Sequence, residues 1–294
     1  MKTAKSIQAL IRLCEDPDEE IYGHVRDKLI SHGTAAIPFL EASWEQEDYG
    51  LLFQSRIEDL IHDIQFQAVK DDLAEWIKNP NKDLLSGALL ICRYQYPNFD
   101  EEKAKSDIES IKNDIWLELN NRQTAYEKVK IFNNVFYGKH GFSGNSKDYN
   151  SPMNSYLNTV LETRKGNPLS LCIIYSVIAQ SLEMPIYGVN LPNHFVLTYL
   201  DEDNINPYIK AENKHGGLFY INAFSKGGIF DEAQIDEFLK GLNQPRARQF
   251  YEPCSNSAII IRMLTNLISS FQQSGSAERV KELIELRALF DIKF

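Results

Sequence analysis

Residues 166–185, GNPLSLCIIYSVIAQSLEMP, decide the fold of this 294-residue chain. Asn167 followed by Pro168 predicts a helix start, because Asn caps free backbone N–H groups and Pro is favoured at the first helical position. The residues that follow are apolar nearly all the way around, so the helix from Pro168 to Leu182 has no polar face. We expect it to be the most buried helix of the chain.

The segments after this helix predict a small antiparallel sheet. IYGVNL (186–191) is a short strand, and HFVLTYL (194–200) alternates two sets of side chains, which is typical of a half-buried strand. A polar loop follows from Asp201 to Gly217. LFYINAF (218–224) then predicts another strand, which ends at the glycine pair 227–228.

Helical segments flank the sheet on both sides. Residues 1–99 carry amphipathic helices arranged like one HEAT repeat and a looser second one, and residues 251–294 predict a helical hairpin of the tetratricopeptide kind. Residues 100–250 hold the core with the sheet. The sequence therefore predicts an α+β fold that is mostly α, divided into these three regions.

Composition narrows the classes of function. The chain has 41 acidic and 31 basic side chains, a formal net charge of −10, and no Lys/Arg cluster, which disfavours binding to nucleic acid or to anionic membranes. Its first residues lack the apolar run of a signal peptide, and no stretch is long and apolar enough to span a bilayer. We expect a cytoplasmic protein that binds neither nucleic acid nor membrane.

The cysteines and histidines predict no metal site and no cofactor. The four cysteines are widely separated, which favours reduced and mostly buried thiols. The six histidines are equally scattered, and neither a Walker-type loop nor a GxGxxG motif is present. Nucleotide and zinc chemistry are therefore disfavoured.

The order of parts around the buried helix does suggest a site. A buried helix, a strand that opens with His194 and a strand that contains Asn222 follow one another as in papain-like and transglutaminase-like cysteine enzymes. A nucleophile at a helix N-terminus has a lowered pKa, a His on a strand acts as the base, and an Asp or Asn orients that His. We expect His194 and Asn222 to lie on paired strands, hydrogen-bonded at one wall of a cleft that the helix start faces.

The sequence resembles the SirB-like family of transglutaminase-like proteins over about residues 70–294. The shared pattern consists of separated points in a fixed order: Gly166, Pro168, Leu182 to Pro185, Pro192, His194, Phe195, Phe224 and Gly227-Gly228. The resemblance implies a bacterial protein with a papain-like core and a tetratricopeptide-like tail. It also places His194 at the catalytic His position and Asn222 where the family has an Asp.

The sequence differs from the catalytic pattern at the position of the nucleophile. The resemblance puts the expected Cys near Pro168 to Ser170, where this chain has none, and the family generally lacks it too. Cys172 lies about one turn further along and is either a nucleophile or a small core residue. Ser170 is either a nucleophile or a serine that bonds the helix start, and His194 is either a cleft residue or a structural one.

Three functions remain open on the sequence alone. The first is a catalytically degenerate transglutaminase-like protein that binds a protein, peptide or small ligand. The second is a hydrolase or acyltransferase that uses Cys172 or Ser170 with His194 and Asn222 as its catalytic residues. The third is a helical adaptor whose core is only a scaffold. Because no Cys occupies the helix start, we favour the first, with a protein or peptide partner.

Overall fold

The computed structural model describes residues 2–45, 50–200 and 216–291, and these form two compact units. One unit contains the described residues of 1–75 and 93–97, and the other contains the described residues of 76–92 and 98–294. The helices of the described residues that begin before residue 100 are α1 Lys2–Arg12, α2 Glu19–Ser31, α3 Ile37–Trp44, α4 Leu51–Lys78 and α5 Leu84–Gln95.

The first unit has an apolar core of its own. Side chains from α1 to α4 form it, among them Ile7, Val25, Leu29, Leu40, Phe53 and Leu60. The guanidinium of Arg56 is buried at its edge, where it donates to the carbonyl oxygens of Cys14 and Asp16 and pairs with Glu19 at 2.7 Å. These bonds satisfy a charge that would be costly to bury alone.

The second unit contains the later helices and the sheet. Its helices are α6 Glu101–Trp116, α7 Ala125–Asn133, α8 Leu157–Thr163, α9 Pro168–Ser181, α10 Glu232–Gly241, α11 Asn256–Ser274 and α12 Ala277–Ala288. The last two form the C-terminal hairpin, and Gly275 caps α11 with a φ of 77°, a conformation that favours glycine. The fold is mostly helical with a small antiparallel sheet, which confirms the predicted fold class.

The sheet has four antiparallel strands in sequence order: β3 Ile186–Leu191, β4 His194–Leu200, β5 Gly217–Asn222 and β6 Gly228–Phe230. Two shorter strands, β1 Ser143–Gly144 and β2 Lys165–Gly166, pair in parallel elsewhere. The predicted loop from Asp201 to Gly217 lies outside the described residues, except for its last two.

Helix α9 lies against one face of the sheet, where it contacts β3 and β4. Eleven of its fourteen residues are buried, a larger fraction than in any other helix of the described ranges, as its lack of a polar face predicts. The opposite face of the sheet is covered by Ile235 and Leu239 of α10 and by Tyr251. Strand β4 is therefore buried on both faces along its centre, and the prediction of a half-buried strand is wrong.

The segment before α9 fixes the position of the helix start. Pairing of β1 with β2 brings the loop around Gly144 against Gly166, directly before the helix. A Cβ at Gly166 would come within 2.6 Å of the Ser170 hydroxyl, so the backbone approach requires a glycine here. The close approach fixes the backbone directly before the start of α9.

Candidate functional site

His194 and Asn222 lie on neighbouring strands, β4 and β5. The register pairs Leu197 with Ile221, and its continuation sets Asn222 across from Val196, two residues from His194. The Asn222 side chain is close enough to the imidazole to act as a hydrogen-bond partner on its pKa. Asn222 also accepts from the backbone N–H of Ser225 at 3.2 Å, which holds its amide in place. The two residues therefore lie on paired strands, as expected, and whether they form a catalytic pair stays a prediction.

The surroundings of His194 keep its imidazole neutral. Burial is the main cause of a pKa below the ordinary value of 6.5, and the positive charge of Arg262 lowers the pKa further. The hydrogen bond with Asn222 opposes both effects, because an amide oxygen that accepts from the ring favours the protonated form. The net effect is a pKa of His194 below its ordinary value, which leaves the ring neutral at pH 7.

A capping box forms the start of α9. The Asn167 side chain accepts from the Ser170 N–H at 2.9 Å, and the Ser170 hydroxyl accepts from the Asn167 N–H at 3.0 Å. The same hydroxyl donates to the Asn154 carbonyl oxygen at 2.6 Å, and the Asn167 amide donates to Ser155 at 2.9 Å. Ser170 is therefore held by the helix start and by the preceding turn.

Cys172 lies one turn further along, in the interior. Its thiol is 1% exposed and is 3.6 Å from the carbonyl oxygen of Phe195, to which it donates. Burial raises the pKa of this thiol well above its ordinary range, which disfavours the reactive thiolate. The helix start therefore does not activate Cys172.

A pocket of about 260 Å³, which we call the His194 pocket, opens beside the histidine. Its walls come from the segment 149–151, the start of α9, the β3–β4 turn and α11. The residues that line it are Tyr149, Asn150, Ser151, Asn167, Pro168, Leu169, Asn193, His194, Phe195, Arg262, Asn266, Ser269, Ser270 and Gln273. Neither Ser170 nor Cys172 belongs to this lining, so the structure does not bring the two candidate nucleophiles into the pocket with His194.

His194 also lines a second, apolar pocket of about 330 Å³. Asn222 contributes to it together with Leu191, Val196, Ile229, Phe230 and Phe238. The imidazole therefore has a polar cavity and an apolar cavity as neighbours. Within the described ranges, no group of His, Cys, Asp and Glu side chains is arranged to hold a metal ion.

Sequence reasoning missed Arg262 and the part of α11 that forms a pocket wall. The missed signal is simple, since Arg262 is the one charged residue of the nineteen that form α11. A lone charge in an otherwise uncharged helix that packs against a core indicates a polar environment built for it.

Among the described residues, no helix is long and apolar enough to cross a bilayer.

We expect the neutral state of His194 to make stability depend on pH. Below about pH 6.5 the unfolded chain takes up a proton at this residue while the folded chain does not, so unfolding becomes more favourable as the pH falls toward the lower folded pKa. Above that range both states are neutral and the contribution vanishes. Between pH 7.5 and pH 5.5, the free energy of unfolding measured with urea should fall more for the wild type than for His194→Gln. Equal losses in the two proteins would contradict this.

Comparisons with known proteins identify the family of the chain. The transglutaminase-like superfamily profile matches residues 102–265. A UPF0162 protein of Xylella fastidiosa is 30% identical over 202 residues, which cover 67% of each chain, and the UPF0162 protein YchA of Escherichia coli is 25% identical over 198 residues, or 66% of this chain and 69% of that one. Human F-box only protein 21 is 32% identical over 150 residues, half of this chain and 22% of its own.

No solved structure matches the chain. The profile match, however, covers more than half of the sequence and includes the capping box, both strands of the His–Asn pair and Arg262. The chain therefore belongs to the transglutaminase-like superfamily.

Proposed function

We propose that this chain is a catalytically degenerate member of the superfamily that binds a peptide or small ligand in the His194 pocket. The observation that carries the proposal is that neither of the two candidate nucleophiles, Ser170 and Cys172, lines the pocket with His194. The Ser170 hydroxyl is occupied by the capping box, the Cys172 thiol bonds a buried carbonyl, and neither lines the pocket. Covalent catalysis needs a nucleophile within hydrogen-bond reach of its base.

The remaining parts of the site suit binding. A neutral imidazole carries one nitrogen that can accept a hydrogen bond from a ligand. The lining adds neutral amides and hydroxyls, such as Asn150, Asn193 and Ser270, which can donate or accept. These groups match the backbone of a peptide, which carries both donors and acceptors.

The finer relationships of the chain are part of this proposal. The SirB-like pattern around Gly166, His194 and Gly227-Gly228 supports a place in that branch of the superfamily. We propose the three regions of the sequence prediction as its organisation, with a HEAT-like region over residues 1–99 and a tetratricopeptide-like hairpin over residues 251–294 as surfaces for a protein partner. The third function, a helical adaptor whose core is only a scaffold, gives the pocket no role.

The proposal predicts that short peptides perturb the His194 imidazole saturably. Acetylated tripeptides with free and with amidated C-termini are titrated into the labelled full-length chain, and the imidazole ¹⁵N signals are followed by NMR. His140 is the internal control, because it does not line the pocket and its Nε2 lies 2.8 Å from the Asp114 Oδ2. Its signals should not shift.

Two outcomes would overturn the proposal. If no peptide of either kind shifts His194 while the fold is intact, the scaffold function replaces it. If the wild type cleaves the peptide or transfers its acyl group, and Cys172→Ala or Ser170→Ala does not, the hydrolase or acyltransferase function replaces the proposal. Cys254→Ala is the control for Cys172→Ala, because it removes a free thiol that is not one of the two candidate nucleophiles.

A further inference from the structure

Arg262 is held in a fixed orientation by neutral partners. Its Nη1 donates to the Asn190 side-chain oxygen at 2.9 Å and to the Leu191 carbonyl oxygen at 3.2 Å, and its Nε donates to the Asn266 side-chain oxygen at 3.2 Å. All three acceptors lie on β3 or α11. The guanidinium is therefore positioned as rigidly as a structural ion pair, but without a counter-charge.

The charge of Arg262 is not compensated within the part of the chain that the structure describes. None of its hydrogen bonds there is made to a carboxylate, and its Nη2 has no hydrogen-bond partner there. Arg262 is also partly buried, and burial lowers its pKa, so the isolated charge destabilises the fold. The chain has 41 acidic side chains, but none of those described pairs with Arg262. An unpaired cation at a pocket wall suits an anionic ligand.

The pocket lining supports the same conclusion. None of its fourteen residues is acidic, and Arg262 is its one basic residue besides the neutral His194. At the start of α9, Pro168 has no N–H and the Ser170 N–H is bonded to the Asn167 side chain, so neither adds a donor to the pocket. The pocket therefore offers one positive charge and neutral donors to one negative group.

We propose that the His194 pocket binds its ligand through a carboxylate group, which pairs with Arg262. This proposal rests on the proposed function and specifies the chemical class of its ligand. The Nη2 group of Arg262 is left to donate to a carboxylate oxygen, and one cation balances one negative charge. A phosphate dianion leaves one charge uncompensated beside a single cation, in a chain whose net charge is already −10. The polypeptide C-terminus is the carboxylate that also meets the neutral donors and acceptors of the lining.

The test compares three probes on the full-length chain: an acetylated tripeptide with a free C-terminal carboxylate, the same tripeptide with a C-terminal amide, and inorganic phosphate. Affinity is read from the His194 imidazole signals by NMR. We expect the amide to bind about tenfold more weakly than the acid, or weaker still, which is typical of a lost charge-assisted hydrogen bond. Phosphate should bind more weakly than the acid.

The variant Arg262→Gln should abolish the difference between acid and amide, whereas Arg248→Gln should preserve it. Arg248 is a matched control because its side chain is 81% exposed and it lies outside the pocket lining. If Arg262→Gln does not fold, the comparison of acid with amide on the wild type still decides the question.

Each outcome has a separate meaning. Equal affinities for acid and amide overturn the carboxylate proposal and leave the proposed function intact, because a peptide still binds. Phosphate binding as tight as that of the acid also overturns it, in favour of a general anion site. If neither peptide shifts His194, the proposed function fails, and the carboxylate proposal fails with it.

Discussion

Ser170→Ala should lower the free energy of unfolding by about 2–4 kcal/mol, since it removes a helix cap and leaves buried backbone groups without partners. The hydroxyl accepts from the Asn167 N–H and donates to the Asn154 carbonyl oxygen, and the residue is 1% exposed. Urea unfolding measures the change. A serine that served only as a nucleophile would lose activity on this substitution without losing stability.

Ser181→Ala is the matched control for this experiment, because Ser181 is exposed in the last turn of the same helix and donates only to the Ile178 carbonyl oxygen. Its stability should stay within about 0.5 kcal/mol of the wild type. A Ser170→Ala protein as stable as Ser181→Ala would contradict the structural role of Ser170.

Phe136→Ala should be the most destabilising of the substitutions considered, at about 3–5 kcal/mol. Phe136 is fully buried, stacks on Phe142 at 4.2 Å between ring centroids and meets Tyr175 of α9 edge-on at 5.6 Å. Its removal leaves a cavity behind the buried helix that forms the pocket wall. Thermal or urea unfolding of the full chain measures the loss.

Tyr126→Ala is the control for an exposed aromatic side chain, since Tyr126 is 47% exposed on α7. It should change stability by no more than about 0.5 kcal/mol. If Phe136→Ala proves as mild as Tyr126→Ala, the aromatic cluster does not hold α9 in place.

The local elements around the site could be predicted from the sequence almost to the residue. The predicted strands 186–191 and 194–200 coincide with β3 and β4, and the predicted helix Pro168 to Leu182 differs from α9 by one residue. These elements have strong local signals, namely Asn-Pro at the helix start and the turn at Pro192-Asn193 between the strands.

What the sequence did not predict depends on contacts between distant segments. The alternation in β4 suggested an exposed face, but α10, some 40 residues later in the chain, covers that face. Arg262 lines the pocket from α11 and lies 68 positions after His194 in the chain, and no local pattern predicts that the two residues share a pocket.

The predictions for the candidate site also differ in how far they depend on distant contacts. The order of the elements was enough to predict that His194 and Asn222 meet, because consecutive antiparallel strands pair with their neighbours. The positions of Ser170 and Cys172 were left open, because adjacent turns of one helix differ only in which neighbours they face. The structure places one hydroxyl in a capping box and one thiol against the Phe195 carbonyl.

Thiol labelling tests most directly the central claim that no activated nucleophile accompanies His194. The folded chain is treated with iodoacetamide at neutral pH, and the modified cysteines are mapped by mass spectrometry over time. Cys254, which is partly exposed and whose pKa burial raises to about 11, is the internal reference. Cys172 should react more slowly than Cys254 in the folded chain, at a rate unchanged by His194→Gln, and should react fully only on unfolding. Rapid labelling of Cys172 in the folded wild type, slowed by His194→Gln, would contradict the account.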